Sequence, residues 1–403
     1  MKTSSFKTKI CFLFIFITLG TGLCLSQHSN DMVIPNSIPC YCQETNIWCG
    51  AATAQMIMEG YPGGVDNVYT QTFIWNTIQT YLNDPGVNWA TDPDGLRDTL
   101  MDLGAGPGVN WSIHAEPNSS DLLYNVAYWI EKREYPVATL VYGWQHWIVI
   151  VGIETDVNPT TTTTVNLQNI RIFNPSNNPC PTATSGGVDS TMNDTQWFSS
   201  YWYAAGNYPA SKWHGNYIAV IEPPVQNGTV KKPEKKISQG RLISPDQAIE
   251  YAYRALKENK FAETYRVFNN IKHLKPILVN QKRNGYYAIP FGYEQGNISH
   301  GAILVNAYTG EFQEIGQFTQ PKTLLGEDEA IRLALNYTKC DCESYVEYAH
   351  LVFQPSMQTN TPFLPVWEVF ISNPELKKKG IKSLLVSMDK IVTEGFIPLP
   401  LGD

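Results

Sequence analysis

Residues 223 to 243 break the chain in two. Pro223-Pro224 closes a stretch rich in Trp, Tyr, Gly and Asn, and the segment after it, VQNGTVKKPEKKISQGRLI at 225–243, carries five Lys or Arg and little apolar content before its end. Such a segment stays solvated and links folded units rather than joining a core. At 403 residues the chain is long for one ordinary domain. The break therefore predicts a first block at 27–224, a linker at 225–243 and a second block at 244–403. Both blocks can pack: hydrophobic residues make up 43% of the chain and aromatics 12%, whereas disorder needs few aromatics and high charge. A formal charge of -8 suits a soluble protein and gives no reason to expect a nucleic-acid partner.

Residues 1–26 read as an export signal. Lys2, Lys7 and Lys9 form a positive head, Ile10 to Leu19 is an almost unbroken apolar run, and small or polar residues follow up to Ser26-Gln27. The run is short for a membrane span of about 20 residues, so no stable span is expected after the signal is removed. A lipoprotein signal at Cys24 is disfavoured by the bulky Leu23 before it. The expected location is extracellular or periplasmic. Removal of the signal discards Cys11 and Cys24 and leaves Cys40, Cys42, Cys49, Cys180, Cys340 and Cys342, among which an oxidising compartment permits disulfides. The C-x-C pairs at 40/42 and 340/342 lack the wider spacing and nearby further ligands of zinc sites. No metal or organic cofactor is expected.

The second block carries an internal duplication. Ser244-Pro245-Asp246-Gln247-Ala248-Ile249 opens a helical pattern behind a Ser cap, and Gly326-Glu327-Asp328-Glu329-Ala330-Ile331 opens a similar one. Strand-like runs follow each: Tyr286–Ile289 and Ala302–Val305 in the first copy, Val366–Phe370 and Ser383–Val386 in the second, closing on Thr309-Gly310 and Glu394-Gly395. Two helix-plus-hairpin units packed together make an α+β domain. The arrangement resembles PepSY-type modules, which accompany many secreted peptidases. Its His273, His300 and His350 are scattered and form no catalytic cluster.

In the first block, Cys49 to Glu59 (CGAATAQMIME) is a helix candidate with an apolar stripe at positions 52, 56 and 57, stopped by Gly60-Tyr61-Pro62. Val137–Tyr142, Trp147–Ile153, Val165–Phe173 and Tyr217–Ile221 are β-rich runs. Cys49 stands at the helix start, where unpaired N–H groups and a partial positive charge stabilise a thiolate, the reactive form. The bland alternative is a small buried structural cysteine. Six residues earlier stands Gln43, whose side-chain amide can converge with the Cys49 N–H on a developing oxyanion. His146 follows a Gly turn and opens the strand Trp147–Ile153. It is the expected base, ahead of its rival His214 and of His114, read as structural. Arg171-Ile172-Phe173-Asn174-Pro175 ends the next strand and offers Asn174 to orient the imidazole, although Asn-Pro is also a plain turn signal.

The run Gln43-Glu44-Thr45-Asn46-Ile47-Trp48-Cys49-Gly50-Ala51-Ala52, with His146 before a hydrophobic strand that contains Val151-Gly152, resembles the papain-like cysteine peptidases. The nearest branch is the bacterial one that includes bacteriocin-leader peptidases. The resemblance implies a helical half carrying Cys49, a β-rich half carrying His146, and peptide-bond hydrolysis through a thioester. Gln43 and the Cys49 N–H would hold the oxyanion and Asn174 would align His146. Bacterial relatives carry Asp where this chain has Asn174. The expected partner is a peptide or protein substrate, with the C-terminal repeats regulating the enzyme or binding a further partner. Two alternatives stay open: acyl transfer to an amine through the same residues, and a non-catalytic adhesion or binding protein on a peptidase-like scaffold.

Overall fold

The computed structural model describes residues 38–60, 69–104, 110–175, 187–203, 208–221, 226–233, 240–281, 285–338, 345–359 and 361–398. The export signal expected at 1–26, and Cys180, Cys340 and Cys342, lie outside the described residues. The chain folds as an α+β protein. Three helices come first: α1 (Cys49–Gly60), α2 (Gln71–Tyr81) and α3 (Pro93–Asp102). Thr70 and Asp92 cap α2 and α3 by accepting from backbone N–H groups of the first turn, and Pro93 stands in the first turn of α3, where its missing N–H costs nothing. Then follow β1 (Ser112–Glu116), α4 (Ser119–Arg133), β2 (Val137–Val141), β3 (His146–Thr155), β4 (Thr164–Asn174), β5 (Val188–Asn193), the short α5 (Asp194–Gln196), which runs into a π-turn at Trp197–Tyr201, and β6 (Tyr217–Ile221).

The strands stand in the order β1-β6-β2-β3-β4-β5, antiparallel throughout. Their centre is covered on both faces, which explains why Trp147–Ile153 reads as a continuous apolar run rather than an alternating one. Trp147, Val149 and Val151 face α1 and its neighbours, together with Met56, Ile57, Ile74 and Leu96. Ile148 and Ile150 face α4, with Leu122, Leu123 and Val126. The single apolar stripe expected on α1 is an underestimate. Every residue of α1 except Glu59 is buried, because α2 and α3 pack against it from one side and β3 from the other. Its small residues permit that approach: a Cβ on Gly50 would lie 2.4 Å from Thr91 Oγ1.

Within the expected linker, β7 (Thr229–Lys231) pairs in parallel with Thr164–Asn166 of β4, so part of this lysine-rich segment is ordered on the first block. The second block begins with α6 (Pro245–Glu258), whose Ser244 and Gln247 form a reciprocal capping box, and the short α7 (Phe261–Thr264). Strands β8 (Lys272–His273), β9 (Ile277–Asn280), β10 (Gly285–Tyr293), β11 (Ile298–Asn306) and β12 (Phe312–Thr323) follow. The chain then repeats itself with α8 (Glu327–Tyr337), β13 (Tyr345–Val352), β14 (Val366–Ser372), the short α9 (Pro374–Lys378), β15 (Ser383–Val386) and β16 (Val392–Thr393). Each repeat is thus a helix followed by a four-strand meander, β9 to β12 and β13 to β16, where the sequence predicted a hairpin. The two first strands, β9 and β13, pair in parallel.

Joining two meanders through parallel first strands relates them by a half-turn along the strands, which places their helices on opposite faces of the sheet. The packing agrees. Tyr287, Ile289, Phe291 and Ile303 face α6, whereas Tyr286, Ala288, Ala302 and Leu304 face the other way with Leu351. Trp367, paired with Leu351, continues that second face into the α8 core with Val369 and Ile371. The blocks do not merely neighbour each other. β12 pairs with β5 from Glu314↔Met192 to Phe318↔Val188, so one sheet runs through both.

Candidate active site

Cys49 is the first residue of α1, and the first helical hydrogen bond, Ala52 N–H to Trp48 O at 2.9 Å, places it in the turn whose N–H groups lack helical acceptors. Its sulfur accepts from the backbone N–H of Trp147 at 3.2 Å. Trp147 is held in turn by its indole N–H, which donates to Thr91 O at 3.0 Å. Two sources of positive potential, the helix start and a strand amide, therefore converge on the sulfur, an arrangement that favours a thiolate. Cys49 is not in a disulfide.

The residue before that amide is His146. It pairs with Val141 at the mouth of the β2–β3 hairpin, and the turn between them takes three successive left-handed residues, Tyr142 (φ 56°), Gly143 (φ 67°) and Trp144 (φ 74°). A bulky L residue in that region costs on the order of 1–3 kcal/mol. Packing holds it here: Trp144 stacks between Trp89 and Tyr208 and donates its indole N–H to Asn216 O, while Tyr142 N–H donates to Tyr201 O. The imidazole Nε2 donates to Asn174 Oδ1 at 2.8 Å. An amide oxygen only accepts, so in the neutral ring the proton sits on Nε2 and the lone pair on Nδ1.

Gln43 lies beside this pair. Its backbone N–H donates to Pro175 O at 2.8 Å, immediately after Asn174. Gln71 of α2 clamps the flanking loop, donating to Cys42 O at 2.7 Å and accepting from Glu44 N–H at 2.9 Å. Cys42 adds a disulfide. Within this pinned loop the Gln43 side chain is 2% exposed, yet its Oε1 has no hydrogen-bond partner. Leaving such an atom buried and unsatisfied costs about 1–3 kcal/mol, and native proteins retain few of them.

The structure thus brings Gln43, Cys49, His146 and Asn174 to one place. Cys49, His146 and Asn174 have 0% exposure. The other histidines among the described residues stand apart from this arrangement. His214 is exposed in the turn that begins at Ser211. His114 is buried on β1 with Nδ1 unpartnered, and burial pushes it down to about 4, so it is a neutral structural residue at physiological pH. His350 pairs with Glu368 at 3.3 Å in the second repeat. Sequence reasoning missed the Trp147 amide, because a backbone donor leaves no mark in the residue type. It also missed Tyr142, whose ring lies parallel to the imidazole at 6.2 Å. Among the described residues no group of His, Cys, Asp and Glu is arranged to hold a metal ion, and no helix is long and apolar enough to cross a membrane. Compared with protein-family models, curated proteins and solved structures, the chain matches none of them.

Proposed function

We propose that the chain is an exported cysteine peptidase with a papain-like catalytic block and a PepSY-like C-terminal block. The observation that carries this reading is a continuous set of contacts: the Trp147 amide on the Cys49 sulfur, the adjoining His146, and the 2.8 Å bond from His146 Nε2 to Asn174 Oδ1. In the reaction the Cys49 thiolate attacks the scissile carbonyl carbon, and the carbonyl π electrons move onto oxygen. The Cys49 N–H and the Gln43 amide N–H stabilise that oxyanion. His146, holding the thiol proton, delivers it to the leaving amine as the C–N bond breaks and leaves a thioester. His146 then takes a proton from water, hydroxide adds to the thioester, and the thiolate departs. Asn174 keeps the imidazole in one tautomer and orientation throughout.

The test is digestion of a proteome-derived peptide library by the wild-type chain and by Cys49→Ala. Cleavage by the first and a loss of at least about a thousandfold in the second is expected. One observation favours a second reading, a non-catalytic binding protein on the same scaffold: the sulfur and the imidazole present no surface to solvent in this conformation. That reading predicts an inert wild type, with Cys49→Ala indistinguishable from it in every assay.

A further inference from the structure

The seam between the two blocks contains a buried acid. Glu314 lies on β12 opposite Met192 of β5 and has 0% exposure. Its Oε1 accepts from Tyr201 O–H at 2.9 Å, and Gln196 Nε2 approaches Oε2 at 3.5 Å. The titratable groups that face it are the phenols of Tyr201, Tyr142 and Tyr286. Among the described residues no cation pairs with it. A carboxylate in such a dry setting is costly unless it takes up a proton. Burial pushes the Glu314 carboxyl up to about 8, only partly offset by the nearby Ser190 hydroxyl and then by the Tyr201 and Gln196 donors.

Contacts lead from this acid to the candidate base. The rings of Tyr201 and Tyr142 stack on each other at 5.2 Å. Tyr142 N–H donates to Tyr201 O at 2.9 Å, and the Tyr142 ring lies parallel to the His146 imidazole, 15° between planes. Tyr142 is also the residue whose left-handed backbone starts the turn that delivers His146.

We propose that Glu314 is a positioning residue for His146, supplied by the C-terminal block and acting through Tyr201 and Tyr142. The inference rests on reading His146 as the catalytic base. The C-terminal block is then part of the catalytic apparatus rather than an appended module. Ionisation of Glu314 puts an unpaired negative charge beside two phenols in a water-poor seam and disturbs the ring that abuts the imidazole.

The experiment follows the His146 ring resonances by NMR as a function of pH in full-length Cys49→Ala protein, where no thiol titrates against the imidazole. A transition centred near pH 8 is expected. Adding Glu314→Gln, which keeps an acceptor for Tyr201 but cannot ionise, removes it. Adding Tyr201→Phe instead deprives the carboxylate of a donor and moves the midpoint upward. Persistence of the transition with Glu314→Gln overturns the proposal. Should that protein not fold, an unmoved midpoint with Tyr201→Phe overturns it equally. Failure here is separable from failure of the peptidase reading: the library digestion uses no titration, and the resonances need no turnover.

Discussion

Two thiols nine residues apart occupy opposite kinds of surroundings. Cys40 keeps some exposed area, yet its sulfur is enclosed: a Cβ on Gly187 would fall 2.7 Å from it. Burial first, and then the Asp189 carboxylate, push the Cys40 thiol well up, and Arg171 offsets only part of this because Asp189 already binds it through two hydrogen bonds. Cys49 has no exposed area at all, but a helix start and the Trp147 amide are directed at its sulfur. The difference teaches that exposed area does not rank these thiols. Whether donors or a carboxylate face the sulfur decides which one can carry negative charge.

Iodoacetamide tests that ranking most sharply. At pH 6 we expect Cys49 to be alkylated at least about a hundredfold faster than Cys40, each unit of separation in thiol ionisation being worth tenfold in thiolate. Peptide mapping by mass spectrometry reads both sites in one sample. Equal rates would break the comparison, and labelling of Cys40 alone would favour the non-catalytic reading. A smaller effect is expected from Asn174→Ala, which removes the acceptor from His146 Nε2. Loss of a hydrogen bond to a charged group, about 1.5–3 kcal/mol, corresponds to a ten- to hundredfold drop in Cys49 alkylation. Cys40 should not respond, and Asn174→Asp should restore much of the loss because its carboxylate still accepts from the ring.

The Cys49 side of this comparison was largely legible in the sequence, and the Cys40 side was not. Gln43, Cys49, His146 and Asn174 announce themselves by local pattern: a glutamine six residues before a helix-start cysteine, and a histidine and an asparagine at the ends of successive strands. The 28-position separation of His146 and Asn174 is accounted for by the β3–β4 hairpin, whose loop is braced by Asn158 Oδ1 accepting from Thr160 N–H. What surrounds Cys40 depends instead on pairings across long stretches of chain. Asp189 meets Arg171 through the β4–β5 ladder and Gln317 through β5–β12. Phe312-Gln313-Glu314-Ile315-Gly316-Gln317 reads as a half-exposed strand, and nothing in its own composition says that Glu314 ends fully buried against another block. The all-round burial of α1 was hidden for the same reason, since α2 and α3 are brought to it by tertiary packing.

The smallest effect separates the thiols by stability rather than reactivity. In the unfolded chain the Cys40 thiol ionises near 9.0, whereas in the folded chain burial raises its pKa. As pH rises through that unfolded value, the unfolded state gives up a proton that the folded state still holds. The unfolded state then binds fewer protons, so stability falls as pH rises and is lost progressively toward the folded value. The slope cannot exceed about 1.4 kcal/mol per pH unit for one group. Cys40→Ala cannot titrate, so urea midpoints taken from pH 7.5 to 10 should fall less steeply for it than for the wild type. The comparison lies in the slopes, because deleting the sulfur shifts the midpoints at every pH. Cys49→Ala should not reproduce the shallower slope, since donors rather than a carboxylate face that sulfur. If both substitutions flatten the curve alike, the two thiols share one kind of environment and the contrast between them fails.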